Sequence, residues 1–148
     1  MASIVVPSTA TITISENITL NGVTYGNAIA KSFDTQGQVI QRIMSIATTF
    51  TGIFNTAGAD DRGTIVIDEW CYFRITNLDD TNYVNLRLYN GTDSQFFKLE
   101  AGESFFLMSP DIDITAAGTG NPTFADITQI AADANIAACD VEVLMITE

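Results

Sequence analysis

Apolar and polar residues alternate along most of this chain, in short runs that are separated by turn-forming residues. Residues 11–14 alternate strictly, and the Asn-Gly pair at 21–22 is a strong signal for a tight hairpin between two strands. Residues 70–76 and 83–89 also alternate, on either side of a turn at 79–82. About eight to ten short strands with turns at this spacing predict an all-β fold, an antiparallel β-sandwich of the jelly-roll-like kind.

The segment 38–54 fits two interpretations. Its apolar residues fit one face of a helix, yet Ile40, Met44 and Ile46 also lie on one face of a strand. The threonine-rich continuation at 48–51 disfavours a helix, because β-branched side chains lose χ1 freedom there. We therefore predict a strand in this segment.

One domain accounts for most of the chain, because no linker, repeat or change in composition is visible. We predict a flexible or docking N-terminal arm at residues 1–10 and a single β-sandwich domain at residues 11–148. The apolar residues Ile4, Val5 and Val6 of the arm are candidate interface residues. The N terminus lacks the basic start and apolar run of a signal peptide, and no stretch is apolar enough to cross a membrane. We expect synthesis in the cytoplasm and no membrane partner.

The chain carries 18 acidic residues against 6 Lys and Arg, for a net charge of −12, and it contains no histidine. This charge argues against nucleic acid as a partner, since that binding depends on Lys and Arg at the phosphates. Without histidine the commonest general base and the commonest metal ligand are missing, and no nucleophile elbow or phosphate-binding loop occurs. We therefore predict that the protein is not an enzyme and has no cofactor or metal.

The acidic pairs and the two cysteines fit structural roles. The pair at 79–80 lies in a predicted turn, where aspartate hydrogen-bonds to nearby backbone, and the aspartates within 111–113 fit the wet face of a strand. We interpret both as solvated residues rather than as a glycosidase pair or a calcium site. Cys71 and Cys139 lie in strand-like runs and are interpreted as reduced core residues, while a bridge between two strands stays open.

Aromatic and arginine side chains gather on one face of the predicted central hairpin. If residues 70–77 pair with residues 82–89, three side chains of the first strand share a face with three of the second. These six candidate interface residues are Trp70, Tyr72, Arg74, Tyr83, Arg87 and Tyr89. Trp, Tyr and Arg are the residues that dominate binding hot spots. The face either packs inside the same chain, forms a subunit interface, or offers a platform for carbohydrate.

The last predicted strand, at 139–146, becomes apolar on both of its faces. Leu144 and Ile146 alternate there with Val143 and Met145, so we count Leu144 and Ile146 among the candidate interface residues. Lysine, which often protects the edges of sheets, is rare in this chain, and a closed oligomer would remove exposed edges. Charged residues make up only 16% of the chain, below the ~25% of an average soluble domain, which favours a surface partly covered by partners.

Four segments give the sequence a resemblance to a known class of proteins. They read FRITNLD at 73–79, NYVNLRL at 82–88, KLEAGESF at 98–105, and IAAD followed by CDVEV within 130–143. In these segments the chain resembles small β-sandwich structural proteins of tailed-bacteriophage virions. The shared motifs are architectural, made of strands and corners, and they cover residues 73–146 loosely.

The resemblance implies a virion component on the capsid surface, a decoration or cement protein. Such a protein would act as a homo-oligomer, with a trimer expected, and would bind the major capsid protein. The alternative that the resemblance implies is a tail- or fibre-associated module that recognises a host-surface glycan or another virion protein. No functional residue of the class is carried over to this chain.

Overall fold

The structure is a computed structural model, and it describes residues 6, 8–35, 39–55, 70–109, 113–115 and 123–147. Within these ranges the chain is all-β and its strand pairs are antiparallel, so the predicted fold class is confirmed, although the strands number fourteen here and not eight to ten. No helix in the described part of the chain is long and apolar enough to cross a membrane. The strands are β1 Ser8–Ser15, β2 Ile18–Leu20, β3 Val23–Tyr25, β4 Ala28–Thr35, β5 Val39–Ile46, β6 Thr51–Asn55, β7 Trp70–Asn77, β8 Val84–Tyr89, β9 Ser94–Leu99, β10 Ser104–Leu107, β11 Asp113–Ile114, β12 Ala125–Asp126, β13 Gln129–Ala134 and β14 Cys139–Thr147.

Two four-stranded sheets form the sandwich. Sheet I has the strand order β10-β7-β14-β5, and sheet II has the order β6-β13-β8-β9. The ambiguous segment 38–54 contains β5 and β6, which confirms the strand interpretation over the helical one. These two consecutive strands lie in different sheets.

The core lies between the two sheets and follows from alternation along each strand. On β14 the side chains of Val141, Val143 and Met145 are buried, and on β8 those of Leu86 and Leu88 are buried opposite them in the same cluster. Each such side chain contributes about 1.5–3 kcal/mol when it leaves water. The sandwich is therefore held together mainly by apolar burial.

The predicted hairpin between residues 70–77 and 82–89 does not form. Strand β7 pairs with β10 and β14 in sheet I, while β8 pairs with β9 and β13 in sheet II. The connection between them crosses from one sheet to the other instead of turning within one sheet. Both segments do form strands with alternating inward and outward side chains, but this alternation does not determine which strands pair with each other.

The side chain of Asn77 holds this crossing in place. Its Nδ2 donates to the carbonyl oxygens of Asn82 at 2.8 Å, Leu99 at 3.2 Å and Glu100 at 3.2 Å. Its Oδ1 accepts from the backbone N–H of Asp79 at 3.1 Å. Asn77 is one of two buried polar residues in the described chain, so its hydrogen bonds replace those it loses to water.

Asp79 stabilises the turn that follows. Its carboxylate accepts the backbone N–H of Asn82 at 2.6 Å and that of Thr81 at 2.8 Å. These two hydrogen bonds hold the pKa of the Asp79 carboxyl below its usual range. The turn role expected for the acidic pair at 79–80 is present in the structure.

A β-bulge reverses the orientation of the first two residues of β7. The register between β7 and β14 is regular from Asn77 to Tyr72, and it shifts before Trp70 pairs with Thr147. As a result Trp70 is only 4% exposed and packs in the core between the sheets, while Cys71 turns to the opposite face. The prediction that Trp70 shares an outward face with Tyr72 is wrong for this reason.

Residues 8–35 form a long two-stranded hairpin, which we call the hairpin arm. Strand β1 pairs with β4 along its whole length, and β2 pairs with β3 nearer the tip. The turn at the tip is the predicted one: Asn21 and Gly22 both have positive φ, 51° and 77°, and Leu20 pairs with Val23. Between the two ladders Gly26 has a φ of 118°, and a Cβ there would overlap the carbonyl oxygen of Glu16.

The hairpin arm is not the arm that the sequence predicted. The predicted boundary between residues 10 and 11 falls inside β1, and the arm continues to the end of β4. The base of the arm packs on the outer face of sheet I, where Phe33 is buried together with Cys71, Tyr72 and Ile146. Of the predicted N-terminal interface residues, Val6 is exposed, and Ile4 and Val5 lie outside the described residues.

The two cysteines do not form a disulfide with each other. Cys71 lies under the arm on the outer face of sheet I, whereas Cys139 lies in the core between the sheets. The thiol of Cys71 donates to the carbonyl oxygen of Ile146 at 3.4 Å. The interpretation as reduced, buried cysteines is confirmed.

Replacing Asn77 by alanine should destabilise the sandwich more than any exposed polar substitution. Asn77→Ala removes all four side-chain hydrogen bonds and leaves the buried carbonyl of Leu99 without this donor. We expect a loss of about 2–4 kcal/mol in the free energy of unfolding, measured by urea titration.

Asn85→Ala is the matched control, because the Asn85 amide makes a hydrogen bond of 3.3 Å to Asp133 at a partly buried position. We expect this variant to lose about 1 kcal/mol or less. Equal losses for the two variants would contradict the role given to Asn77.

Candidate interaction surfaces

The structure divides the eight predicted interface residues outside the N-terminal segment among three places. Trp70 lies in the core between the sheets. Four residues lie on the outer face of sheet I, and three lie at the outer face of sheet II. The first group is Tyr72, Arg74, Leu144 and Ile146, and the second is Tyr83, Arg87 and Tyr89. The single face expected from the sequence therefore does not exist.

On sheet II, Arg87 is the centre of a cluster of rings. Its guanidinium carbon lies 4.6 Å from the ring centroid of Phe50 and 5.2 Å from that of Tyr89. Phe96 is the register partner of Arg87 on β9, and its ring lies 6.1 Å from the ring of Phe50. The guanidinium also donates to the side-chain oxygen of Gln129. The cation–π and ring contacts fix the arginine against the sheet.

Tyr83, which directly precedes β8, extends this cluster along the same two strands, β8 and β9. The ammonium group of Lys98 lies 4.2 Å from the ring centroid of Tyr83, and it forms an ion pair of 2.5 Å with Glu100. The hydrogen bond to Glu100 raises the pKa of Lys98. We call Phe50, Tyr83, Arg87, Tyr89, Phe96 and Lys98 together the aromatic face.

The aromatic face is partly open to solvent. Phe96 is 58% exposed and Phe50 is also exposed, whereas Arg87 and the two tyrosines are half-buried. Exposed rings next to a fixed cation are suited to stacking against flat apolar groups, either the side chains of a protein or the ring of a sugar. The aromatic face is therefore compatible with both functional interpretations from the sequence, a protein interface and a platform for carbohydrate.

On sheet I, the predicted interface residues already have partners in the same chain. Tyr72 and Ile146 are buried beneath Phe33, with Ala10 and Ile12 of β1 packed beside them. Burial raises the pKa of the Tyr72 hydroxyl, and the nearby Arg74 opposes that rise. The apolar end of β14 is thus covered by the hairpin arm and needs no second protein.

Arg74 also has a charged partner within the chain. It forms an ion pair with Glu142 on the neighbouring strand β14, and the side chain of Gln41 on β5 donates to the same carboxylate at 3.5 Å. This arrangement pairs a cation with an anion in the middle of the outer face of sheet I.

Two groups of exposed apolar residues were not singled out in the sequence. The first is on the tip of the hairpin arm, and the second is on the outer side of β5. The tip residues are Ile18, Leu20, Val23 and Tyr25, and the β5 residues are Val39 and Ile43. The only signal in the sequence was their ordinary strand alternation, which does not tell whether a face is covered.

No metal-binding group is visible in the part of the chain that the structure describes. No three or more Cys, Asp or Glu residues come together there in a group that could hold a metal ion. An open depression of about 330 Å³ is lined by Leu78, Ala138 and three aspartates. Of these, Asp79 already uses its carboxylate on the backbone of the turn.

The docking of the arm can be followed through the two cysteines. Phe33→Ala removes the ring that covers Cys71, so we expect a thiol reagent to modify Cys71 about tenfold faster or more. The measurement is native-state labelling, with the modified site assigned by mass spectrometry. Cys139 is the internal control, since it lies in the core and should stay protected. Equal acceleration at both thiols would indicate global unfolding and would contradict a separately docked arm.

The comparisons with known proteins add no relative to this picture. The chain matches no protein-family model, and no curated protein and no solved structure is significantly similar to it.

Proposed function

We propose that this protein is a non-enzymatic structural component of a tailed-bacteriophage virion. It acts as a capsid decoration or cement protein that binds the major capsid protein and stabilises the shell as a homo-oligomer, with a trimer favoured. The resemblance of residues 73–146 to small β-sandwich virion proteins supports this assignment. The fold class agrees with that resemblance, since the chain is an antiparallel β-sandwich.

The observation that carries the proposal is the presence of two separate uncovered contact surfaces on one small chain. The aromatic face lies on sheet II, and the apolar tip of the hairpin arm lies beyond sheet I. A subunit with two such surfaces can bind two neighbours at once, which is what a protein that fastens a shell has to do. We assign the aromatic face to the shell.

The chemistry of the aromatic face suits a protein partner. Aromatic residues and arginine are enriched in the centres of protein interfaces, where water is excluded around them. In this face the rings already fix Arg87, so little side-chain freedom is lost when a partner arrives. The net charge of −12 opposes non-specific contact between subunits, so contact is most favourable at surface patches that carry no acidic residue.

Binding to shells that lack the protein tests this function. Purified protein is mixed with such shells, and bound protein is measured by co-sedimentation, with its position on the shell determined by cryo-electron microscopy. We expect saturable binding and a higher temperature of shell disruption. Phe96→Ala should weaken binding about tenfold or more, because it removes the most exposed ring of the aromatic face.

Phe124→Ala is the matched control, since Phe124 is 55% exposed and lies before β12, outside the aromatic face. We expect it to bind shells like the unaltered protein. Equal binding by the Phe96 and Phe124 variants would show that the aromatic face is not the shell contact. Absence of binding by the unaltered protein would contradict the decoration function.

A second candidate function is glycan recognition by a tail- or fibre-associated module. The specific observation in its favour is that exposed rings stand beside polar side chains, with Gln129 held next to Arg87. A glycan array is the direct measurement: binding that disappears in Phe96→Ala and remains in Phe124→Ala would support this function. Trp70 is not a useful target for this test, because it is buried in the core.

A further inference from the structure

We propose that the tip of the hairpin arm of one copy docks on the outer face of sheet I of a second copy, where it covers Val39 and Ile43 of β5. The inference names the contact that builds the homo-oligomer, and in that respect it rests on the proposed function. Each copy donates one arm and accepts one, and the contact gives a closed ring when the rotation between successive copies closes.

The tip of the arm presents a continuous apolar face to solvent. In the β2–β3 ladder Ile18 pairs with Tyr25 and Leu20 pairs with Val23, so the four side chains lie on one side of the hairpin. All four are more than half exposed; Leu20, for example, is 61% exposed. Isolated two-stranded hairpins are marginally stable in water, so a long apolar one gains from a surface to pack on.

The arm reaches well beyond the sandwich that carries it. Every residue from Ser15 to Ser32 is exposed, whereas Ala10 and Ile12 near the base pack with Phe33 on sheet I. At about 3.3 Å per residue, the part of the arm beyond Ile12 extends for roughly 25–30 Å. That distance is comparable to the length of one sandwich strand, and it is sufficient to reach a neighbouring copy.

The proposed acceptor is the outer side of β5. There Val39, Gln41, Ile43 and Ser45 alternate with inward residues, and none of the four carries a charge. Ile43 is 66% exposed and Val39 is similarly open. Strand β5 is at the edge of sheet I, so a hairpin can approach it without displacing another strand.

The proposed acceptor lies next to a contact that the arm already makes within its own chain. Val39 is the register partner of Ile146, and Ile146 is buried under the base of the arm in the same chain. The outer face of sheet I therefore accepts an apolar hairpin face at one end and offers uncovered apolar side chains next to it. A second copy brings the same kind of hairpin face to those side chains.

Charge also favours a second copy over other occupants. Two chains of net charge −12 repel each other, so contact between copies is more favourable where both surfaces lack acidic residues. The four tip residues and the four β5 residues meet that condition, and the nearby Glu142 is paired with Arg74. Nucleic acid or an anionic membrane would require cations, and Lys31 of the arm already donates to the carbonyl oxygen of Met108 at 2.7 Å.

The oligomeric state of the full chain tests this contact. Light scattering after size-exclusion chromatography should show an oligomer for the unaltered protein. Leu20→Asp on the tip and Ile43→Asp on β5 should each weaken self-association at least about tenfold, because either places an uncompensated charge in the contact. Ile136→Asp is the matched control: Ile136 is 79% exposed, between β13 and β14, and this variant should keep the oligomer.

A disulfide between copies identifies the acceptor. Leu20→Cys and Ile43→Cys chains are mixed under oxidising conditions, and we expect a crosslinked dimer that contains one chain of each kind. Each variant alone should give little crosslinking, and the native thiols should not interfere because both are buried. Efficient crosslinking of Leu20→Cys with itself would indicate tip-to-tip contact and would overturn the proposed acceptor.

Two further outcomes would overturn the inference, and they are distinguishable from failure of the decoration function. An unaltered protein that stays monomeric, with shell binding lost in Leu20→Asp, would assign the tip to the major capsid protein. An oligomer that persists in both aspartate variants would place the copy-to-copy contact elsewhere. Conversely, an oligomer that depends on Leu20 and Ile43 but binds no shell would contradict decoration and leave the arm exchange intact.

Discussion

Strand β14 has apolar side chains on both of its faces, and the rest of the structure depends on covering both. Val141, Val143 and Met145 face sheet II, so that sheet closes the first side. Ile146 and Leu144 face the other way, where the base of the hairpin arm covers them. The arm is therefore part of the fold at its base, although it leaves the sandwich completely at its tip.

This arrangement explains how an acidic chain can be poor in charge without an unusually large core. The apolar residues lie in three environments. These are the space between the sheets, the contact beneath the arm, and the exposed surfaces of the arm tip, β5 and the aromatic face. Only the first two are satisfied within one chain. Part of the negative charge lies in turns such as the one at 79–82, and the acidic residues next to these surfaces, Glu100 and Glu142, are paired with Lys98 and Arg74.

Much of the local structure was accessible from the sequence, and the long-range arrangement was not. The Asn-Gly turn at 21–22 has a local cause, positive φ at both positions, so it could be predicted. The pairing of β7 with β14 has no local cause, because alternation is equally compatible with any neighbouring strand. The side on which Trp70 lies depends on a bulge in that pairing, and so it could not be predicted before the pairing was known.

The predictions for the candidate interface residues divide in the same way, into local features that the sequence determines and long-range features that it does not. Tyr83, Arg87 and Tyr89 were grouped correctly because they belong to one short segment with a fixed alternation. Tyr72, Leu144 and Ile146 were recognised as residues that need cover, but the covering element lies in a distant part of the chain. Exposure of the arm tip could not be predicted from the sequence for a related reason. The sequence shows which side chains are apolar, but only the tertiary packing determines which of them stay exposed to solvent.

The position of β14 in the middle of sheet I also has a consequence for how the protein is made. The hairpin arm pairs residues that are close in sequence, so it can form soon after it is synthesised. Sheet I cannot form until β14 arrives, since β14 separates β5 from β7 and pairs with both. During translation the arm therefore exists before the surface on which its base rests. In that interval the apolar side chains at the base of the arm, such as Phe33, have no sheet I to pack on.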